Sequence, residues 1–215
     1  MPVPIQLPRV YPILDTATLE RRGGASPAAF AEALLQVGAR ILQFRHKGFF
    51  SRETFAQAQR IAALCRQAGA LFVLNDRPDL ARLLGAGCHA GQDDLEPAGA
   101  RAILGDALLG YSTHNEAQLR AAAAEPVDYL ALGPVFGTAS KEKPDPPLGV
   151  EEWARLRPLA AKPLVAIGGV TRASAPEVWR AGADSIAVIA DLYPETLDPR
   201  AVRERMNEWL SLAGR

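Results

Sequence analysis

Polar residues able to bind anions or a hard cation recur in this chain at the ends of short apolar runs. In Gln43-Phe44-Arg45-His46-Lys47 the polar residues alternate with Phe44 and His46, so an extended backbone puts Gln43, Arg45 and Lys47 on one face. Two cations and an amide donor then converge, although a solvated strand end with basic residues has the same pattern. Asp76 and Asp94 follow the next two apolar runs. Carboxylates that face one another repel unless a cation lies between them. A hard divalent ion such as Mg²⁺ suits two such oxygens, because it keeps most of its water and completes its shell with phosphate. The competing reading is that each Asp is a helix N-cap. Gly168-Gly169 offers backbone N–H groups with no Cβ in the way, which suits a phosphate monoester or simply a tight turn.

Other chemistries have weaker support. His46, His89 and His114 lie on separate segments without HxH or HxxxH spacing, so a zinc site is not expected, and His89 reads as a hydrogen-bonded core residue. There is no GxxxxGK[ST] motif. The near-match to GxGxxA at Gly85 to Ala90 enters an apolar run instead of leaving one, the wrong context for dinucleotide binding. No Ser-His-Asp order stands out.

The elements that must position these residues alternate along the whole chain. Strands are predicted at Val10–Leu14, Ile41–Arg45, Leu71–Leu74, Cys88–Ala90, Leu108–Tyr111, Tyr129–Leu132, Leu164–Ile167 and Ser185–Ile189. Helices are predicted between them at Ser26–Val37, Ser51–Ala68, Pro78–Leu84, Pro97–Ile103, Asn115–Ala123, Val150–Ala160, Arg172–Arg180 and Pro199–Leu212. Ser26-Pro27 supplies a cap followed by Pro at the first helical position, and Gly38, Gly69 and Gly182 fall where a left-handed residue ends a helix. Several strands are continuous apolar runs, as expected when both faces are covered. Eight βα units in one chain predict an α/β fold, a (β/α)8 TIM barrel forming a single compact domain over 10–215 behind a short lead-in, 1–9. At 215 residues the chain is near the lower size limit of that fold, so most loops must be short. The segment Glu142–Leu148, EKPDPPL, is the exception, and it reads as an ordered lid or a mobile flap. Barrels of this kind build their sites at the C-terminal strand ends, which is where the polar residues fall.

Composition narrows the partners. Lys plus Arg number 24 and Asp plus Glu also 24, so the field on which non-specific nucleic-acid binding depends is missing, and small molecules are the expected partners. No apolar stretch approaches the roughly 20 residues of a spanning helix, and the N-terminal residues lack the features of a signal peptide. Cys65 and Cys88 have no CxxC spacing and read as buried thiols in a reducing compartment. A soluble, cytoplasmic protein is expected, with monomer and homo-oligomer both left open.

The segments QFRHKG, LNDRPDLA, HAGQDDL, GYSTH, DYLALGPVFGTASK, VAIGGV and GADSIAVIADL, in this order from about Tyr11 to Ile189, resemble the thiamine-phosphate synthase family. The resemblance implies condensation of 4-amino-2-methyl-5-hydroxymethylpyrimidine diphosphate with a thiazole phosphate, releasing diphosphate with the help of Mg²⁺. By position it implies Gln43 at the aminopyrimidine, Arg45, Lys47, Asn75 and Lys141 at the diphosphate, and Asp76 and Asp94 on the metal. Ser112 matches a hydroxyl contact at the pyrimidine diphosphate. Thr138, Ser140, Gly168-Gly169 and the Ile189-Ala190 turn match the thiazole-phosphate site. Ala190 stands where the family usually carries Ser, Gly137 replaces a common Pro, and the segment before His89 is one residue short. Two alternatives stand beside this reading: a related thiazole tautomerase, which does not need the diphosphate-binding set, and a non-catalytic phosphate-binding regulatory barrel, for which Ala190 is the best argument.

Overall fold

The computed structural model describes residues 6–138 and 145–214. The strands are β1 (Val10–Asp15), β2 (Ile41–Arg45), β3 (Leu71–Asn75), β4 (Gly87–Ala90), β5 (Leu109–Thr113), β6 (Tyr129–Leu132), β7 (Leu164–Ile167) and β8 (Ser185–Val188). They pair in sequence order, all parallel, and β8 returns to β1 to close a barrel. Parallel neighbours cannot be joined by a tight hairpin, so helices carry the chain back between them. These are α1 (Thr16–Arg21), α2 (Pro27–Gln36), α3 (Arg52–Gln67), α4 (Pro78–Leu84), α5 (Pro97–Leu104), α6 (Glu116–Ala122), α7 (Gly149–Leu156), α8 (Ala175–Arg180) and α9 (Pro199–Leu212).

The two-residue period of the strands divides the apolar residues into two cores. One alternation, including Leu42, Phe44, Leu74, Cys88, Leu109 and Leu130, faces the helices. The other, Tyr11, Ile13, Ile41, Val73, Tyr129, Ala131, Val165 and Ala187, fills the barrel interior, and Leu7 packs with it. The lead-in therefore contributes a side chain to the inner core. Continuing along the inward positions toward the C-terminal strand ends, residue type changes: Asp15, Gln43, Asn75 and His89 are all buried there. Both cysteines are buried free thiols, and burial raises each thiol to about 12.

Several boundaries differ from expectation for local reasons. The short helix α1 follows β1 directly, because the Asp15 carboxylate accepts hydrogen bonds from Thr18 N at 2.8 Å and Thr18 Oγ1 at 2.7 Å. Helix α7 stops at Leu156 and passes into a 3-10 turn, Arg157–Leu159, since Pro158 has no N–H to continue the ladder. Helix α8 starts at Ala175 instead of Arg172, because Thr171 and Ser174 close a turn through Thr171 N to Ser174 Oγ (3.0 Å) and Ala175 N to Thr171 O (2.8 Å). Ser26 does precede the Pro of α2, but its side chain makes no capping hydrogen bond. Gly38, Gly69 and Gly182 all have positive φ at helix ends.

Candidate active site

Strand β2 sends Gln43 and Arg45 inward. Gln43 is buried, with Nε2 donating to the Tyr11 hydroxyl at 3.1 Å. Arg45 is in register with Asp15 on β1 and forms an ion pair with it. Lys47 lies past the strand end and is exposed, so it reaches the site from a turn and not from the extended face that alternation predicts. Its Nζ is ion-paired with Asp76 Oδ2.

The end of β3 brings Asn75 and Asp76 to the same rim. Asn75 is in register with His89, and its buried Nδ2 has no hydrogen-bond partner among the described residues. A buried donor left unpaired costs about 1–3 kcal/mol, so this amide is suited to a ligand acceptor. Asp76 has φ of 64°, a left-handed conformation unusual for a residue with a Cβ, while its backbone N donates to His89 O at 2.8 Å. Burial, then the hydrogen bond with Asp94, push the Asp76 carboxyl up to about 6, against the lowering effect of Lys47. Asp94 sits on the turn after β4, with Oδ2 accepting from Gly91 N at 2.7 Å. Neither carboxylate is a helix cap: Arg77 precedes α4 and Glu96 precedes α5. Two adjacent carboxylates, one of them driven toward its protonated form, are a donor set that a hard divalent cation satisfies.

On β5, Ser112 Oγ lies 2.8 Å from His89 Nε2, and Gln92 Nε2 donates to the Ser112 carbonyl at 2.6 Å. His114 Nδ1 donates to the Gly133 carbonyl at 2.6 Å, which ties the end of β5 to that of β6. The loops after β6 and β7 approach closely at Gly168 and Gly169, where φ is 95° and 64°. A Cβ on Gly168 would lie 2.4 Å from Pro134 Cβ, and one on Gly169 would lie 2.5 Å from the Gly137 carbonyl oxygen. Backbone packing by itself therefore requires both glycines. Thr138 is half-buried beyond this contact. At the end of β8, Ile189 turns into a 3-10 segment, Ala190–Leu192, with Ala190 exposed. Ser140 and Lys141 lie outside the described residues, as does the first part of EKPDPPL, residues 142–144.

Three residues escape a sequence reading that looks only at polar strand ends, Asp15 at the end of β1 and Tyr11 and Tyr129 in the barrel interior, whereas His89 is buried and hydrogen-bonded as expected. Counting in twos from Ile13 puts Asp15 on the inward face, and the same count from Ala131 puts Tyr129 there. Among the described residues no group of three or more His, Cys, Asp and Glu gathers that could hold a metal, and Asp76 and Asp94 stand together as two carboxylates.

Comparison with known proteins agrees with this architecture. The family model described as thiamine monophosphate synthase matches residues 10–192. A thiamine-phosphate synthase of Koribacter versatilis is 44% identical over 211 residues, covering 97% of each chain, and one of Chloroflexus aurantiacus is 40% identical over 183 residues, covering 85% of this chain and 83% of that one. A solved thiamine phosphate pyrophosphorylase from Pyrococcus furiosus superposes with a TM-score of 0.82 at 28% identity, over 96% of this chain and 95% of that one. The chain belongs to the thiamine monophosphate synthase family.

Proposed function

We propose that this chain is a transferase that condenses 4-amino-2-methyl-5-hydroxymethylpyrimidine diphosphate with a thiazole phosphate, in its plain or carboxylated form, giving thiamine monophosphate and diphosphate. The observation that carries the reading is the rim of β2, β3 and β4, which carries Lys47, the Asn75 Nδ2 without a partner among the described residues, and the Asp76–Asp94 pair. A tautomerase has no need of that set, and a silent barrel gives no reason for the left-handed backbone at Asp76.

In this reading Gln43 binds the aminopyrimidine, while Arg45, Lys47, Asn75 and Lys141 neutralise the diphosphate. Mg²⁺ held by Asp76 and Asp94 would supply further charge stabilisation to the departing diphosphate. The aminopyrimidine stabilises the methylene cation as the C–O bond breaks, and preorganised donors stabilise the growing negative charge on the leaving group. Ser112 gives a hydroxyl contact at the same group. Thr138, Ser140, Gly168, Gly169, Ile189 and Ala190 hold the thiazole phosphate, whose ring nitrogen captures the cation. Two buried free thiols suit a reducing, cytoplasmic setting. No helix among the described residues is long and apolar enough to cross a membrane.

The test is incubation of the purified chain with both substrates, following thiamine phosphate and diphosphate with and without Mg²⁺. Product formation that EDTA abolishes is expected. Thiazole isomerisation without diphosphate release would replace this reading with the tautomerase one, and no reaction at all would favour the silent barrel.

A further inference from the structure

A continuous line of hydrogen bonds crosses the barrel interior. Gln43 Nε2 donates to the Tyr11 hydroxyl (3.1 Å), the hydroxyls of Tyr11 and Tyr129 are 2.9 Å apart, Tyr129 Oη lies 3.0 Å from His89 Nδ1, and His89 Nε2 lies 2.8 Å from Ser112 Oγ. Five strands contribute one residue each, so the line joins the two ends of the proposed pyrimidine site, Gln43 on β2 and Ser112 on β5. Packing holds it in place. The His89 ring stacks on Tyr129 at 5.5 Å, and Tyr11 meets Tyr129 edge-on at 6.1 Å. Gly110 makes room for the central ring, since a Cβ there would sit 2.0 Å from Tyr129 Cζ.

The donors and acceptors run in one direction. An amide nitrogen can only donate, so the Tyr11 oxygen accepts from Gln43. Burial raises both phenols well above their ordinary range and keeps them protonated, so each has one proton to pass on. The Tyr11 hydroxyl therefore donates to Tyr129 Oη, and the Tyr129 hydroxyl donates to His89 Nδ1. With Nδ1 accepting, the neutral imidazole carries its proton on Nε2 and donates to Ser112 Oγ. The Ser112 hydroxyl proton is then directed away from His89. A flipped Gln43 amide would reverse every link and leave Ser112 with only lone pairs to offer, a poor arrangement at a rim that carries Lys47, Arg45 and an Asn75 Nδ2 with no partner among the described residues.

We propose that Tyr11, Tyr129 and His89 are positioning residues that set Gln43 and Ser112 as a matched pair, the Gln43 carbonyl presented to the amino group of the pyrimidine and the Ser112 proton to its diphosphate. The proposal rests on the pyrimidine-diphosphate reading above, but its first test does not. Long-range ¹⁵N–¹H spectra of the free protein report the imidazole tautomer, and His89 is expected neutral with the proton on Nε2. A proton on Nδ1, or an imidazolium, overturns the proposal whatever the enzyme's activity.

The second test uses Tyr129→Phe, which keeps the ring and removes two links. We expect kcat to fall about tenfold, the scale of one lost hydrogen bond, with the KM for thiazole phosphate within about twofold of wild type. Combined with Ser112→Ala, the double variant should lose less than the product of the two single losses, because the part of the Tyr129 effect that runs through Ser112 is already gone. Independent, multiplying effects or an unchanged kcat in Tyr129→Phe would sink the idea while leaving the proposed reaction intact. A wild-type chain that shows the Nε2 tautomer but makes no thiamine phosphate overturns both the positioning role and the reaction.

Discussion

Lys47, on the turn after β2, forms an ion pair with Asp76 at the end of β3, so a residue expected to meet diphosphate and one expected to hold metal share a single contact. The backbone of Asp76 is itself left-handed, which separates its charge from its conformation. Asp76→Ala is expected to lower kcat by roughly 10²–10³, the usual cost of one preorganised electrostatic element. It should also lower Tm by about 2–4 °C, since a Cβ without a local polar partner costs about 1 kcal/mol in this conformation. Asp76→Asn should lose the same activity with a smaller Tm change, because Asn visits this region more readily. Steady-state kinetics and calorimetry on the two variants check both halves. Near-wild-type turnover in either would remove the metal-binding role.

Lys141 carries the same expectation from sequence alone. Lys141→Ala should lower kcat by roughly 10²–10³. A variant with unchanged turnover would move the diphosphate contact to another cation.

Asp15 offers a sharper structural test. Its carboxylate accepts from Thr18 N, Thr18 Oγ1 and Arg45, and its side chain is 5% exposed against 15% for Arg45. Asp15→Ala removes the counter-charge and the cap of α1 together, leaving a mostly buried guanidinium uncompensated, so a loss of about 3 kcal/mol is expected in urea unfolding. A loss below about 1 kcal/mol, the scale of an exposed pair, would show that Arg45 escapes to solvent. Because Arg45 would then no longer be held at the rim, KM for the pyrimidine diphosphate should rise in parallel.

The strands, their order and the rim were legible because they depend on local pattern. Short β-rich runs between helical segments predict β2, β6 and β7 with the observed bounds, and polar residues at strand ends point to Asn75, Asp76 and Asp94. What sequence conceals is register and parity across strands. Asp15 meets Arg45, and Asn75 meets His89, only because the closed barrel fixes which residues lie side by side. Tyr11 and Tyr129 read as apolar strand residues until closure turns both inward and brings their hydroxyls together. Helix α1 spans six residues, too few for a helical period to show, and depends on a cap that also serves the ion pair.

Gly169 and Gly85 share nearly the same positive φ, 64° and 63°, but differ in surroundings. A Cβ at Gly85 meets nothing within 4 Å, whereas one at Gly169 meets the Gly137 carbonyl oxygen at 2.5 Å and Phe136 Cβ at 2.8 Å. Gly85→Ala should therefore cost only the conformational penalty of about 1–2 kcal/mol. Gly169→Ala adds a clash between loops and should cost about 1–3 kcal/mol more. If these loops hold the thiazole phosphate, Gly169→Ala should also raise its KM while leaving that of the pyrimidine diphosphate unchanged, and Gly85→Ala should change neither. Equal stability losses in the two variants would contradict the tight loop contact.

Ala190 gives the one substitution expected to improve the enzyme. It opens the 3-10 segment after β8 and its side chain is exposed, so adding a hydroxyl there disturbs no packing. The resemblance drawn from the sequence implies Ser at this position, and a net hydrogen bond contributes about 1 kcal/mol, or roughly a fivefold change in affinity. Ala190→Ser should lower the KM for thiazole phosphate about fivefold, with kcat and Tm near wild type, since the added contact serves bound and reacting substrate alike. The KM for pyrimidine diphosphate should not move, because the proposed reaction assigns that substrate to Gln43 on β2 and Ser112 on β5 and not to the turn after β8. An unchanged thiazole-phosphate KM would mean that the new hydroxyl turns back to its own backbone, and that the Ile189–Ala190 turn binds phosphate through its N–H groups alone.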